Sequence, residues 1–572
     1  MKKTKIMDKL EYDVLIVGAG AAGLRAAIEA ASYNKKLRIA LISKVYPMRS
    51  HTVSAEGGTA AVLKEYDNFD LHAWDTIKGS DFLADQDAVE LFVKLAPKEI
   101  IQLEHWGCLW NRDEKGKIDV RAFGGMSVKR TVYAADKTGF YILHTLFQRS
   151  LLYENIERFD EWFVTSLIIE NNRFCGLTAI NIKDGSFNLF KGKSVIIATG
   201  GAGQVYAFTT NATINTGDGY AIAYRAGIPL KDMEFVQFHP TGIPGKGLLI
   251  TEAARGEGGY LLNNEHERFM KRYAPEKMEL AARDVVSRAM YFEILKGKGF
   301  KGPYGDYIGL DIRHLGKKVI EEKLPTVKEM AEKFAGVDPL HELIPVRPVV
   351  HYFMGGVHVN INTETPVAGV FSAGEAACVS INGANRLGSN SLSECLVFGA
   401  IAGRNAAIFA SEHGFCNFPQ ELVLKEEKRI FEGILKRERG LNPAEIKYEL
   451  KQTMDEKVGI VRNEEGLKEA CSKIIKLKEK FKNVSVEDKS SIYNTDFINI
   501  LELDFMLDVA ESIAFSALYR KESRGAHYRL DYLNRNDEKY LAHTLIYKTD
   551  GEPRIEYLPV VITRWKPVER KY

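Results

Sequence analysis

Hydrophobic positions near the N-terminus predict a buried strand that runs directly into a glycine-rich turn and a helix. Residues 12–17 read YDVLIV, the turn GAGAAG occupies 18–23, and the residues that follow are mostly small and apolar. An apolar run bounded by turn residues is typical of a buried strand, and the apolar run LRIALIS at 37–43 predicts a second strand. The order strand, glycine-rich turn, helix and strand indicates a nucleotide-binding α/β domain.

The same kind of pattern returns later in the chain, on both sides of a long glycine-rich stretch. Apolar and polar spacing predicts a helix over 81–106 and strands near 163–169, 177–182 and 194–203, the last of which ends in glycines. Residues 234–348 are rich in loops, and the strand pattern resumes at 370–373 before a second glycine-rich turn at 382–391. These two flanking patterns predict an α/β domain that is interrupted by an insertion.

The composition changes again near residue 419. Charged segments with few glycines, such as ELVLKEEKRIFEGILKRERG, fill 419–519 and predict amphipathic helices. The last fifty residues are mixed and end in the basic tail RWKPVERKY.

Charge and composition exclude several classes of protein. Lys and Arg total 78 and Asp and Glu total 76, so a net charge of +2 argues against nucleic acid as a partner. Hydrophobic residues make up 45% and charged residues 27%, as in soluble globular proteins. No run approaches 18 apolar residues, which argues against a transmembrane helix. The basic N-terminus lacks the apolar run of a secretory signal, so we expect a chain retained in the cytoplasm.

Six cysteines are spread along the chain without any Cys-x-x-Cys pair, at Cys108, Cys175, Cys378, Cys395, Cys416 and Cys471. This spacing argues against a zinc ribbon or a cysteine-ligated iron–sulfur cluster within the chain, and we predict no metal site. A disulfide scaffold is not expected at this size in a reducing compartment.

The turn at 18–23 has the spacing of a dinucleotide site. In such a turn Gly18 permits the tight bend, Gly20 lets a pyrophosphate approach the backbone, and Gly23 lets the helix pack on the strand. The acidic residue that binds an NAD ribose should follow the second strand, where this chain has Ser43 and Lys44 instead. This departure weakens NAD as the ligand and leaves FAD open. The glycines at 200–201 fit a flavoprotein in which a distant segment closes over the same dinucleotide.

Several longer blocks resemble the flavoprotein subunits of succinate dehydrogenase and fumarate reductase, the complex II family. They occur in the family's order and cover nearly the whole chain: SKVYPMRSHTVSAEGG (43–58), TNATINTGDG (210–219), QFHPTG (237–242), TEAARGEGGYLLN (251–263), RDVVSRAM (283–290), PVRPVVHYFMGG (345–356), FSAGEAACVSINGANRLGSNSL (371–392) and ESRGAHYRLDY (522–532).

The resemblance implies an α/β fold, with a Rossmann-like FAD-binding domain, an inserted α+β capping domain, a helical domain and a small C-terminal segment. We expect the FAD-binding domain at 1–233 and 350–407, the capping domain at 234–349, the helical domain at 408–535 and the C-terminal segment at 536–572.

The resemblance also implies that His51 carries FAD covalently through the flavin 8α-methyl group, with Glu375 on a ribityl or ribose hydroxyl. Such a bond is expected to raise the flavin's reduction potential. The cofactor-binding residues implied by the resemblance are Gly18, Ala19, Gly20, Ala21, Ala22, Gly23, Ser43, Lys44, Ser50, His51, Thr52, Ser54, Ala55, Glu56, Gly57, Gly58, Asp218, Glu375, Ser391 and Leu392.

At the substrate end, similarity to the family assigns carboxylate binding to His239, His351 and Arg386, a hydroxyl donor to Thr251, and a further contact to Phe123. Arg suits this task because its planar guanidinium can hold a carboxylate with two hydrogen bonds. The remaining histidines are assigned no chemistry, including His527 in the block RGAH.

Arg283 matches the family's proton-transferring arginine, and Glu252 and Arg255 match its relay partners. An arginine is an unusual acid–base group because its pKa in water lies above 12. From spacing alone, Arg283 next to Asp284 would be read as a surface ion pair, so the catalytic role rests on the resemblance.

The resemblance implies a succinate dehydrogenase subunit that interconverts succinate and fumarate and passes electrons to an iron–sulfur subunit, then through a membrane anchor to quinone. The protein would lie at the cytoplasmic face of the membrane. One alternative is a fumarate reductase subunit. Glu56 favours it, because dehydrogenases of the family often have Gln at this position and reductases often have Glu. The other alternative is L-aspartate oxidase, which lacks the flavin-bonding histidine. A non-catalytic FAD-binding scaffold would not need the substrate-site residues together. Leu533, Asn536 and Tyr540 depart from the family's usual Pro, Asp and Trp and leave details of the subunit interface open.

Overall fold

The computed structural model describes residues 10–571 and places the first α/β domain around a mixed sheet. The basic N-terminal segment lies outside the described residues. The strands of this part are β1 (Leu10–Val17), β2 (Ile39–Ser43), β3 (Thr59–Ala60), β4 (Val120–Arg121), β5 (Thr131–Val132), β6 (Ile156–Asp160), β7 (Trp162–Glu170), β8 (Arg173–Asn181), β9 (Phe187–Ile197) and β10 (Leu230–Lys231). The helices are α1 (Ala21–Tyr33), α2 (Phe69–Gly79), α3 (Gln86–His105), α4 (Thr138–Ser150) and α5 (Asp218–Arg225).

The inserted domain has its own antiparallel sheet. Its strands are β11 (Val236–Gly242), β12 (Tyr260–Leu262), β13 (Ile308–Asp311) and β14 (Ile344–Phe353), paired in the order β11-β14-β13-β12. Its helices are α6 (Ala253–Gly256), α7 (Met270–Tyr273), α8 (Arg283–Leu295), α9 (Gly316–Lys323) and α10 (Pro325–Met330). Strand β14 runs through the boundary that the sequence predicts at residue 349.

The chain then returns to the first domain and continues into helices. The return consists of β15 (Gly356–His358), β16 (Val370–Ser372), β17 (Ala377–Cys378) and α11 (Asn390–Glu412). The helical part contains α12 (Gln420–Ile430), α13 (Pro443–Lys457), β18 (Val461–Arg462), α14 (Glu464–Phe481), α15 (Thr495–Tyr519) and β19 (Tyr528–Arg529), and the C-terminal segment contains α16 (Asp537–Tyr540), β20 (Ala542–Tyr547) and β21 (Arg554–Pro559). The predicted α/β class, with an inserted domain and a helical domain, is confirmed.

Strand order brings the predicted ligand-binding loops to one edge of the main sheet. The order is β6-β2-β1-β9-β8-β7, with β16 on the far side of β9. Strands β6, β2, β1, β9 and β16 run parallel to one another, so their carboxyl ends meet at the same edge, whereas β8 is antiparallel to β9. Ligands of open α/β sheets bind outside this edge.

Helix α11 packs closely on α1 inside the first domain. A Cβ added at Gly403 would overlap the carbonyl oxygen of Ala26, and one added at Gly399 would lie 2.7 Å from that of Ala22. By length and mean hydropathy (1.3) α11 is the one described helix that could cross a membrane, but 61% of that stretch is buried inside the protein. Its apolar composition therefore reflects helix packing in the core.

The C-terminal segment returns to the first domain. Strand β20 pairs with β10 and with β21. His543 on β20 is buried between Asp232 and Asp85, with Nδ1 2.6 Å from Asp232 and Nε2 3.1 Å from Asp85. Burial opposes its charged form, but the two carboxylates raise its pKa to about 9. His543 is thus a charged structural link, consistent with the absence of an assigned chemical role.

Candidate active site

The glycine-rich turn between β1 and α1 has the shape that a dinucleotide site needs. Gly18 has a φ of +109°, and a Cβ there would overlap the Ala198 carbonyl. A Cβ at Gly23 would overlap the Gly18 carbonyl, so this glycine serves the contact between turn and helix. Gly20 is the N-cap residue of α1 and has no side chain to occupy the helix N-terminus, where a phosphate is stabilised by free N–H groups and the helix dipole.

A cavity of about 540 Å³ extends from this turn to the inserted domain. Several buried polar atoms around it have no hydrogen-bond partner within residues 10–571: Ser50 Oγ, Thr199 Oγ1, His239 Nε2 and Arg386 Nε. Buried polar groups are normally satisfied, so unpaired atoms on a cavity wall indicate a polar ligand. Together with the phosphate cradle, they fit a dinucleotide at one end and a small anion at the other.

The structure brings nearly all of the predicted site residues to this cavity wall. The cofactor candidates on the wall are Gly18, Ala19, Gly20, Ala21, Ala22, Ser43, Lys44, Ser50, His51, Thr52, Ser54, Ala55, Glu56, Gly57, Gly58, Asp218, Glu375, Ser391 and Leu392, and the substrate and catalytic candidates are Phe123, His239, Thr251, Glu252, Arg283, His351 and Arg386. Gly23 and Arg255 lie behind the wall. Placement at the cavity does not test the individual roles, which stay predictions.

Lys44, at the position where an NAD site has an acid, is itself paired with two acids. Its ammonium lies 2.7 Å from Asp218 at the start of α5 and 2.7 Å from Glu502 on α15. Burial disfavours the charged ammonium, but these carboxylates raise the pKa of Lys44 above its ordinary value. The ion pairs connect the dinucleotide end of the cavity to the helical domain.

His51 begins a short 3₁₀ turn between β2 and β3. Burial lowers its pKa to about 4, so the imidazole is neutral near pH 7. The backbone N–H of Ala212 donates to its Nδ1 at 3.4 Å. A neutral imidazole has a free nitrogen lone pair, which is the form that a covalent attachment requires.

Two half-buried carboxyl groups at the cavity bind protons unusually tightly. Burial, together with the charge of Asp136, raises the pKa of Glu56 to about 8 despite the opposing charge of Arg121. Burial raises the pKa of Glu375 to about 7, and its Oε1 accepts a hydrogen bond from the Phe353 N–H at 3.0 Å. At neutral pH Glu56 is therefore mainly protonated and uncharged.

Arg283 begins helix α8 of the inserted domain and is held on two sides. Its Nε donates to Glu252 Oε2 at 2.7 Å, and its Nη1 donates to Gln237 Oε1 at 3.0 Å. Glu252 also accepts from the Gly124 N–H at 2.7 Å and lies 3.7 Å from the guanidinium of Arg255. Burial alone would raise the pKa of Glu252, but the two arginines lower it to about 2.

Arg386 and two histidines also line this end of the cavity. Arg386 donates to Gln237 at 3.1 Å and to Ser391 at 3.2 Å, and its guanidinium lies 4.3 Å from the Tyr352 ring centre. Burial, and then the charge of Arg283, lowers its pKa to about 10, which leaves it charged at pH 7.

The His239 and His351 rings lie 5.0 Å apart, and burial followed by the charge of Arg283 holds both pKa values well below the ordinary one. His239 Nδ1 lies 3.2 Å from Thr241 Oγ1, and His351 Nδ1 lies 2.8 Å from Thr210 Oγ1. Neutral imidazoles beside charged arginines are chemically suited to hold a small dianion.

Gln237 is the central residue that the sequence analysis did not assign. It is fully buried, and its one carbonyl oxygen accepts from both Arg283 and Arg386. It lies two residues before His239 in the block QFHPTG, which is the signal that could have revealed it. Phe123, which the resemblance assigns to the substrate site, packs against Gly57. A Cβ added at Gly57 would lie 2.8 Å from the Phe123 ring.

Comparison with known proteins agrees with this geometry. Residues 13–392 match the family model described as FAD binding domain, and residues 447–572 match the one described as fumarate reductase flavoprotein C-term. The chain is 52% identical to the fumarate reductase flavoprotein subunit of Mycobacterium tuberculosis (strain ATCC 25618 / H37Rv), over 98% of this chain and 99% of that one. The chain belongs to the fumarate reductase and succinate dehydrogenase flavoprotein family.

Other members of the family are similarly close. The succinate dehydrogenase flavoprotein subunit of Rickettsia bellii is 46% identical over 97% of this chain and 96% of its own. A solved chain of the Escherichia coli quinol fumarate reductase superimposes with a TM-score of 0.97 at 47% identity, covering 98% of this chain and 99% of that one. The protein is an FAD-dependent oxidoreductase that interconverts succinate and fumarate.

Proposed function

We propose that this chain works as a fumarate reductase flavoprotein subunit, the alternative of the sequence analysis, in preference to a succinate dehydrogenase. Two observations support this direction. The fumarate reductase subunit of Mycobacterium tuberculosis is more similar to the chain than the dehydrogenase subunit of Rickettsia bellii. Glu56 on the cavity wall is the residue type that the resemblance associates with reductases.

The proposed reaction rests mainly on one observation, the buried arrangement of Arg283, Glu252, Gln237 and Arg386. FAD, when bound and reduced by two electrons, would supply the hydride that fumarate reduction requires, and the protein must supply a proton to the neighbouring carbon. Arg386 is charged, lines the cavity and has an unpaired Nε, so it would bind one substrate carboxylate. His239 and Thr251 would hold the other carboxylate by hydrogen bonds.

Arg283 is the proton donor in this proposal. Its Nε and Nη1 are engaged by Glu252 and Gln237, and its second terminal nitrogen remains for the substrate. Loss of a proton from a guanidinium is costly, so it must be coupled to hydride transfer and reversed at once. Glu252 stabilises the charged guanidinium, and Arg255 behind it continues the ionic chain away from the cavity.

The dinucleotide end would be held by the residues around the glycine-rich turn. The pyrophosphate fits the N-terminus of α1. Glu375 has a pKa of about 7, so it is about half protonated near pH 7 and is suited to hydrogen-bond a hydroxyl of the cofactor. His51, neutral and at the cavity wall, supports covalent attachment of FAD.

Two observations support an iron–sulfur subunit and a membrane anchor as the partners. Among residues 10–571 no group of His, Cys, Asp or Glu is arranged to hold a metal ion. One similar solved structure is a quinol fumarate reductase with menaquinol. We therefore propose that electrons reach this subunit from an iron–sulfur subunit on a membrane anchor, with the chain at the cytoplasmic face of the membrane.

The test of direction is to purify the native complex and measure fumarate reduction and succinate oxidation with the same quinone pair. A reductase should favour fumarate reduction, and Glu56→Gln should shift the ratio toward succinate oxidation, whereas Glu65→Gln, at an exposed glutamate, should not. A complex that oxidises succinate faster, with a ratio insensitive to Glu56→Gln, would contradict the proposed direction.

A further inference from the structure

The segment between α11 and α12, residues 413–419, lies on strands β8 and β9 of the main sheet. The Arg173 guanidinium donates to the Gly414 carbonyl and lies 5.9 Å from the Phe409 ring centre. The ammonium groups of Lys191 and Lys193 lie 5.7 Å and 5.3 Å from the Phe415 ring centre. These contacts hold the segment against the sheet without involving any sulfur atom.

The same contacts bring two cysteines together that are 241 residues apart in the chain. Cys175 is fully buried on β8, Cys416 lies in the segment above it, and the structure joins them in a disulfide. Their Cα atoms are 4.9 Å apart, which lies within the range that a disulfide requires. This pair could not be predicted from the sequence, because neither cysteine has another cysteine near it in the chain.

Cys416 is more exposed to solvent than three of the four free cysteines. Cys108, Cys378 and Cys471 are buried, and Cys395 lies on the wall of the FAD cavity. Burial raises the pKa of Cys108 and of Cys471 to about 12, so these thiols stay protonated and react slowly. Cys416 is half-buried in a mostly exposed segment, whereas Cys175 is fully buried, so Cys416 is the accessible member of the pair.

We propose that Cys175 and Cys416 are a redox modification site, a dithiol that hydrogen peroxide converts into a disulfide. The Cys416 thiolate attacks one peroxide oxygen, forms a sulfenic acid and releases hydroxide. The Cys175 sulfur then attacks the Cys416 sulfur and expels the second hydroxide, and the thiol protons convert both hydroxides into water. Two thiols and one peroxide thus become one disulfide and two waters.

The disulfide links the segment that leads into the helical domain, residues 413–419, to strand β8 of the main sheet. Cys416 lies just beyond the C-terminal end of α11, whose N-terminal residues Ser391 and Leu392 line the FAD cavity. The disulfide closes a loop of 241 residues and limits the movement of the segment that leads into α12. In a reducing compartment the dithiol is the resting state, and peroxide makes the bond transiently.

The proposal is tested on the full-length, FAD-loaded chain, reduced anaerobically and then treated with hydrogen peroxide. Free thiols are alkylated, and the chain is digested without reductant and analysed by mass spectrometry. We expect a cross-linked pair of peptides containing Cys175 and Cys416, lighter by two hydrogens than the sum of the two thiol peptides. Chymotryptic cleavage after Phe415 should slow by roughly tenfold after oxidation, because a disulfide stabilises the segment.

Two variants separate this effect from general oxidation. Cys416→Ser should show no cross-link and no slowing of cleavage, and Cys471→Ser should behave as the wild type. Alkylation of both Cys175 and Cys416 after peroxide treatment would overturn the proposal. Oxidation of Cys416 to sulfinic acid with Cys175 still a thiol would overturn it as well, and so would equal cleavage rates of the oxidised and reduced chains. None of these results depends on the direction of catalysis.

Discussion

Arg283 donates from Nε to Glu252 at 2.7 Å, and both side chains are almost completely buried. The pair joins the start of α8 to the residue just before α6, and the Gly124 N–H from the first domain binds the same carboxylate. In the proposed mechanism, substrate chemistry therefore depends on an ion pair that both domains help to build.

We expect Glu252→Gln to reduce turnover by about 10²–10⁴-fold, the range that a positioned acid–base group contributes. The amide keeps the shape but removes the charge that stabilises the guanidinium of Arg283. Malonate affinity should change little, because Glu252 is itself negative and binds no carboxylate. Steady-state rates and malonate titration measure the two effects, with Glu265→Gln on the surface as the control. A large loss of malonate affinity with normal kcat would contradict this role.

The raised pKa of Glu56 predicts a specific dependence of stability on pH. The folded chain holds this proton up to about pH 8, whereas the ordinary pKa is 4.5. The folded state therefore binds more protons than the unfolded state between these values, and its stability falls as the pH rises through that window. Glu56→Gln cannot ionise, so the variant should gain stability relative to the wild type from pH 5 to pH 8. Urea unfolding at both pH values measures this difference, and a difference that is constant with pH would contradict it.

The sequence allowed the α/β fold, the inserted domain and the residues of the cavity wall to be predicted, because they lie in contiguous motifs. The glycines at 18–23 act through their own backbone, so their role can be read locally. Gln237 could not be assigned, because its importance comes from accepting hydrogen bonds from Arg283 and Arg386, which are far away in the chain. The Lys44 ion pair with Glu502 and the Cys175–Cys416 pair were missed for the same reason, since only the fold brings their members together.

His51→Ser should bind FAD without a covalent bond. The glycine-rich turn at 18–23 and the N-terminus of α1 are unchanged, so the phosphate cradle remains. The wild type should keep its flavin fluorescence on a denaturing gel, and the variant should lose it. We expect succinate oxidation to suffer more than fumarate reduction in the variant, because the flavin potential should fall. Complete release of flavin from acid-precipitated wild type would contradict a covalent bond.

The close contact of α11 with α1 predicts a loss of stability in Gly403→Ala. The new methyl group would overlap the Ala26 carbonyl, and a backbone atom cannot rotate away as a side chain can. The helices must separate, at a cost of about 1–3 kcal/mol in the free energy of unfolding. Gly551→Ala, at a site with open space around the glycine, is the control and should leave the unfolding midpoint unchanged. Equal midpoints for both variants would contradict the packing described.

The central claim is that Arg283 donates the proton and Arg386 holds the substrate. Lysine keeps the positive charge but lacks the planar fork, so the two Arg→Lys variants separate these roles. In Arg283→Lys we expect kcat for fumarate reduction to fall by about 10²–10⁴-fold while malonate affinity falls only modestly. In Arg386→Lys, malonate affinity should be lost first. If Arg283→Lys keeps a near-normal kcat and only raises KM, Arg283 is a binding residue and the proposed mechanism is wrong.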